Sequence, residues 1–176
     1  LKQVPQSVLW LLKDSDLMVE NLQAEIEARG LSTDRLVFAE RMSKERHLKR
    51  MSLADLALDT RIYTGHTTTS DALWAGVPVI TMEGQHFASR VSSSILKAAG
   101  LPELVADTLD DFKMLATDLA ENRDKLVALK HKIQRDKKTC PLFNTPCFAS
   151  NLEKAYLIMW TRFVAGEPHG MIEIKK

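Results

Sequence analysis

The sequence predicts an α/β fold, a Rossmann-like parallel sheet flanked by helices. Three observations carry this. Continuous apolar runs of strand length alternate with amphipathic stretches of helix length. Glycines stand where the helices should stop, at Gly30, Gly76 and Gly100. The stretch Leu58–Met82 reads strand, loop, helix, strand, which is the unit of a parallel sheet with right-handed connections.

The elements follow in order. Ser7-Val-Leu-Trp-Leu-Leu12 is apolar throughout, as in a central strand buried on both faces. Asp16–Arg29 sets Leu17, Leu22, Ala24, Ile26 and Ala28 among glutamates, a surface helix stopped by Gly30. Asp34–Phe38 is the second strand, and Ser43 is an N-cap for a helix over Ser43–Arg50. Leu53–Asp59 is the third strand. A hydroxyl-rich turn, Thr64–Thr69, leads to a short helix over Ser70–Ala75, and Val77–Met82 is the next buried strand. A helix over Phe87–Ala99 ends at Gly100, and Leu101–Ala106 is a short strand or turn. Helices over Leu109–Asn122 and Arg123–Arg135 follow, the second charged enough to keep one face in water. After a break at Pro141–Pro146, Phe148–Ala165 carries Leu152, Tyr156, Met159, Trp160 and Phe163 at helical spacing. The expected division is a Rossmann-like domain over 1–147 and a C-terminal helix and tail over 148–176.

Composition narrows the function classes. With 176 residues there is room for one domain with a sizeable core, and 45% apolar with 27% charged residues is an ordinary soluble composition. A net charge of +1 gives no basis for binding nucleic acid or a membrane surface. No apolar run approaches the roughly 20 residues of a spanning helix, and Leu1-Lys-Gln-Val-Pro5 has no signal-peptide core. The first residue is not Met and a strand follows almost at once, so a piece of a longer protein is expected. Cys140 and Cys147 are too few for a disulfide scaffold and lack zinc spacing. Free thiols and a cytoplasmic or nuclear setting are the expectation.

Candidate chemistry gathers on the loops at the carboxyl ends of the strands, where ligands bind in such sheets. The turn Gly65-His66-Thr67-Thr68 has many donors and no negative charge, and it opens a helix whose N-terminal N–H groups and dipole attract anions. A phosphate fits there, and so does plain N-capping. Lys44, His47 and Arg50 lie at i, i+3 and i+6 along one helix side, a set of donors for a nucleoside or a solvated basic face. Asp71 falls in the first turn of its helix on this reading, where the dipole favours a carboxylate; a ribose hydroxyl is its alternative partner. Glu83, Gln85, His86 and Arg90 form a weaker group on the next loop. There is no GxxxxGK[ST], GxGxxG or nucleophile-elbow pattern.

Several motifs in register then resemble one family. Ser7–Leu12, Ser43-Lys-Glu-Arg-His47, Leu58-Asp-Thr60, Gly65–Thr68 with Asp71–Pro78, Ala88-Ser-Arg90 and Pro141-Leu-Phe-Asn-Thr145 look like the C-terminal half of the catalytic region of O-linked N-acetylglucosamine transferases. The resemblance runs over nearly the whole chain. It implies the donor-binding C-terminal domain of a GT-B glycosyltransferase, with UDP-N-acetylglucosamine as donor, Ser or Thr hydroxyls of proteins as acceptors, and no metal or other cofactor. It implies that His66, Thr67 and Thr68 hold the diphosphate, Lys44 and Asp71 the ribose, and His47, Arg50 and the backbone of Met42 the uracil. The family's diphosphate lysine, the N-terminal catalytic half and the repeats that dock proteins all precede this stretch, so the fragment by itself is expected to be inactive. The C-terminal helix is expected to pack on that N-terminal half. Thr69 departs from the family, which has Gly there, and a restricted turn is the expected consequence. Rival readings are a Spindly-like protein O-fucosyltransferase using a GDP-sugar and a non-catalytic nucleotide-sugar module; the signature of a UDP-sugar epimerase is absent.

Overall fold

The computed structural model describes residues 1–174; the last two residues of the expected tail lie outside them. The element order is β1 (Leu9–Leu12), α1 (Asp16–Ala28), β2 (Leu36–Ala39), α2 (Lys44–Met51), β3 (Ala57–Leu58), α3 (Thr67–Ala75), β4 (Val79–Met82), α4 (Val91–Ala98), β5 (Val105–Ala106), α5 (Leu109–Glu121), α6 (Arg123–Asp136) and α7 (Thr145–Val164). All ladders are parallel: β1 pairs with β2 from Leu9↔Leu36, and β4 lies between β3 and β5. The strand–helix alternation expected from the sequence is therefore present.

The core is centred on β4. Val79, Ile80 and Thr81 are buried, and Leu73, Val77, Leu96, Leu101, Leu104, Leu119 and Ile133 pack around them from α3, α4, α5, α6 and the intervening loops. Each fully buried Leu or Ile contributes about 1.5–3 kcal/mol relative to exposure. Gly76 ends α3 with φ 86°, a left-handed turn that lets Val77 enter β4 directly.

Four expectations are corrected. β1 is an apolar run but not a central strand: Leu12 is 41% exposed, and β4 holds that place instead. The third strand is only Ala57–Leu58, because α2 closes with Ser52 N–H donating to Leu48 O and leaves Leu53 in water. The expected helix over Phe87–Ala99 is a 3-10 turn, Phe87–Ser89, followed by α4; the Ser89 side chain folds back on His86 and breaks the run. The last helix begins at Thr145, where Asn144 caps it and Pro146 suits its first turn.

Candidate functional site

The turn between β3 and α3 is held in place before any ligand is considered. Asp59, at the end of β3, accepts from Gly65 N–H (2.7 Å) and Thr60 N–H (2.9 Å) on one oxygen and from the Thr81 hydroxyl (2.7 Å) on the other. This ties the turn to both β3 and β4. Thr64 is buried and donates through its N–H (3.0 Å) and hydroxyl (2.7 Å) to Ala88 O. Ser92 of α4 donates to Gly65 O (2.8 Å), and its hydroxyl lies 2.6 Å from that of buried Thr69. Between these anchors Ile62 takes φ 73°, a strained backbone for a β-branched residue, and Ile62 and Tyr63 stay exposed.

α3 begins at Thr67, three residues before the expected start, so Thr67–Thr69 form its first turn. His66 is the N-cap, and no side chain caps the helix. The first-turn N–H groups therefore have no helical partner, and the Thr67 and Thr68 side chains are exposed beside them. This is an uncapped helix N-terminus with added hydroxyl donors, an anion-binding arrangement. Gly65 cannot be replaced without movement: a Cβ there would stand 2.3 Å from Thr69 Oγ1 and 2.7 Å from Thr68 Oγ1. Thr69 lies inside the helix with its side chain buried; its hydroxyl joins α3 to α4 and, with that of Thr68, fills the space a Cβ at Gly65 would take.

The basic set on α2 is brought to the same place. Lys44, the first residue of α2, forms an ion pair with Asp71 of α3, and the two helices pack together. Asp71 lies in the second turn of α3, not the first, so its partner is the lysine rather than the helix dipole. Arg50 is held from three sides. Nη1 donates to Glu40 O (2.8 Å), the guanidinium lies 5.6 Å from the Trp10 ring centroid, and Nη2 is 3.4 Å from His47 Nδ1. His47 and Arg50 are half-buried, so this side of α2 is not a solvated basic face. Met42 is half-buried in the loop just before α2. The rings of Tyr63 and Phe87 flank His66 at 5.0 and 6.1 Å.

The weaker group after β4 is drawn elsewhere. Glu83 pairs with Lys97 of α4, and this hydrogen bond holds its carboxyl below the ordinary value of 4.5. His86 supports the 3-10 turn, and Gln85 and Arg90 are exposed. A cavity of about 670 Å³ lies far from this chemistry, between Leu1–Gln3, α1 and Lys113, and its lining includes Leu9, Leu22, Ile26, Leu31 and Leu36. Its surface is mainly apolar, with Lys2, Arg29 and Lys113 at its edge, and none of the sequence-predicted site residues lines it. Residue-by-residue reading missed the supports: Asp59, Thr64, Thr81 and Ser92 under the turn, Trp10 under Arg50, and Tyr63 and Phe87 beside His66. Asp59 stood in a quoted motif, but only the fold shows which N–H groups it meets.

Comparison with known proteins gives the family. The model of glycosyl transferase family 41 matches residues 1–152. The chain belongs to glycosyl transferase family 41. Among curated relatives it is 38% identical over 168 residues to the probable UDP-N-acetylglucosamine–peptide N-acetylglucosaminyltransferase SEC of Arabidopsis thaliana, covering 95% of this chain and 17% of that protein. It is 38% identical to the UDP-N-acetylglucosamine–peptide N-acetylglucosaminyltransferase of Caenorhabditis elegans, covering 96% of this chain and 15% of that protein. The probable UDP-N-acetylglucosamine–peptide N-acetylglucosaminyltransferase SPINDLY of Arabidopsis thaliana is 40% identical over 121 residues, 69% of this chain and 13% of its own length. Among solved structures, a mutant O-GlcNAc transferase of Thermobaculum terrenum superposes with a TM-score of 0.83 at 34% identity, over 89% of this chain and 31% of the other. The family 41 chain thus spans only a small part of each of these relatives. Its Rossmann-like, parallel α/β architecture is that of the matched region of the glycosyltransferase.

Proposed function

We propose that this family 41 chain is the donor-binding part of a protein O-linked N-acetylglucosamine transferase. The whole enzyme moves N-acetylglucosamine from UDP-N-acetylglucosamine to Ser or Thr hydroxyls of proteins. The observation that carries the reading is the uncapped start of α3, with His66, Thr67 and Thr68 around it and the Lys44–Asp71 pair beside it. In this reading the first-turn N–H groups and the His66, Thr67 and Thr68 side chains receive the diphosphate. Lys44 and Asp71 meet the ribose. His47, steadied by Arg50 and Trp10, and the Met42 backbone meet the uracil. Helix-end N–H groups and side-chain donors stabilise the leaving diphosphate, the task a divalent cation performs in other transferases.

The C-terminal helix fits the same reading. α7 has no buried residue, and Tyr156, Trp160 and Phe163 are 58%, 64% and 68% exposed along it. A face this apolar marks a contact surface, and we assign it to the N-terminal half of the catalytic region. This chain by itself is then a binding half without turnover.

The test is calorimetric titration of the full-length protein with UDP and GDP, alongside a Lys44→Ala, His66→Ala double variant. The expected result is UDP binding that the variant weakens at least about tenfold, a loss of about 1.4 kcal/mol or more, with GDP weaker than UDP. GDP binding more tightly would move the assignment to a GDP-sugar transferase of the SPINDLY type. UDP binding untouched by the double variant would refute the site.

A further inference from the structure

We infer that His66 holds the donor's diphosphate only as the doubly protonated imidazolium, so that donor binding takes up a proton. This rests on the diphosphate site proposed above and deepens it. His66 Nδ1 lies 2.9 Å from the Thr64 carbonyl oxygen. A carbonyl oxygen only accepts, so Nδ1 carries a hydrogen. In the neutral ring Nε2 is then a bare lone pair. Nε2 has no hydrogen bond among the described residues. Arg50 Nε is the one side-chain nitrogen or oxygen there that is both buried and unpartnered, so His66 Nε2 reaches solvent.

The tautomer is not free to change. Thr64 is buried, and its own N–H and hydroxyl are committed to Ala88 O, so the carbonyl that engages Nδ1 is itself fixed. Tyr63 and Phe87 flank the ring. A lone pair set against a phosphate oxygen repels it. A proton on Nε2 turns the same contact into a charge-assisted hydrogen bond.

No carboxylate on the surrounding elements is hydrogen-bonded to His66; each has another partner. The Asp59 carboxylate at the end of β3 is occupied by Gly65 and Thr60 N–H and the Thr81 hydroxyl. Asp71 of α3 is paired with Lys44 of α2, and Glu83 after β4 with Lys97 of α4. Of the other titratable or charged groups on these elements, Tyr63 flanks the ring, Glu45 of α2 is paired with Lys49, and Arg46, His47 and Arg50 of α2, Arg61 of the loop, and His86 and Arg90 beside the 3-10 turn are basic. The anion that meets Nε2 directly is then the ligand's.

The test is binding of UDP-N-acetylglucosamine to the full-length protein, followed calorimetrically in buffers of different ionisation enthalpy. This ligand's diphosphate is esterified at both ends and exchanges no proton near neutrality. At about pH 8, where imidazoles are ordinarily neutral, uptake of close to one proton per ligand is expected, and the dissociation constant should rise about tenfold per pH unit above that. His66→Gln puts an amide N–H where the imidazolium N–H stands; it should bind with a flat pH profile and no uptake. Lys44→Ala should bind more weakly with uptake unchanged. Intact binding with no uptake in the native protein overturns the inference and leaves the diphosphate site standing. Uptake that persists in His66→Gln, or vanishes in Lys44→Ala, assigns the proton elsewhere and also overturns it. Affinity unchanged in both His66→Ala and a Thr67→Val, Thr68→Val double variant removes the site itself.

Discussion

Single residues at the α3 turn bear on stability and, under the proposed function, on recognition. Gly65 does so by having no side chain, since its Cβ position is already filled by the hydroxyls of Thr68 and Thr69. Gly65→Ala should lower stability by about 1–3 kcal/mol, the usual cost of overpacking, and weaken UDP binding in the same protein. Chemical denaturation and titration together check it; an unchanged midpoint would show that the turn relaxes freely. Lys44 and Asp71 behave differently. Lys44 is largely exposed, so their pair adds little to folding, as surface ion pairs do. Their value lies in holding two donor and acceptor groups together between α2 and α3.

At the scale of elements, helix starts aim the site and helix packing fixes it. α3 starts without a cap at the turn, and α4 holds that turn through Ser92. The Glu83–Lys97 pair fastens the β4 exit loop to α4. Because Lys97 lowers the folded-state Glu83 value, the pair's contribution is present above the ordinary value of 4.5 and is lost as pH falls through the lower folded value. The melting temperature of native protein should therefore exceed that of Glu83→Gln slightly near neutrality, and the gap should close in acid. For a pair this exposed the difference is well under about 1 kcal/mol. A gap that widens in acid would contradict the assignment.

At the scale of the molecule, the fold is a core around β4 with two surfaces left open. One is the α3 turn with the adjoining side of α2, the proposed donor site; the other is the apolar side of α7. Changing Trp160 and Phe163 to serine should leave the stability of this chain within about 0.5 kcal/mol, as for surface positions generally. In the full-length protein the same change should destabilise by about 3 kcal/mol or more, as when buried aromatics are lost. Equal effects in the two would mean that α7 meets nothing beyond this chain.

Much of this was legible in the sequence. Apolar runs, helical spacing and stop glycines determined the strand–helix alternation, because backbone periodicity acts locally. The register of motifs determined the family, and the residue types at Gly65–Thr68 and on α2 determined that the turn is rich in anion donors. Only tertiary structure decided the rest. β1 and β4 are both apolar runs, and which lies at the centre depends on the helices that cover it. Thr67–Thr69 read equally as turn or helix until Asp59, Thr64 and Ser92 fix where α3 begins. Asp71 meets Lys44, and His66 gives its Nδ1 hydrogen to Thr64, through contacts that exist only once the backbone has closed around the turn. Hydrogen-bond partners and burial are properties of the packed chain, which sequence spacing does not encode.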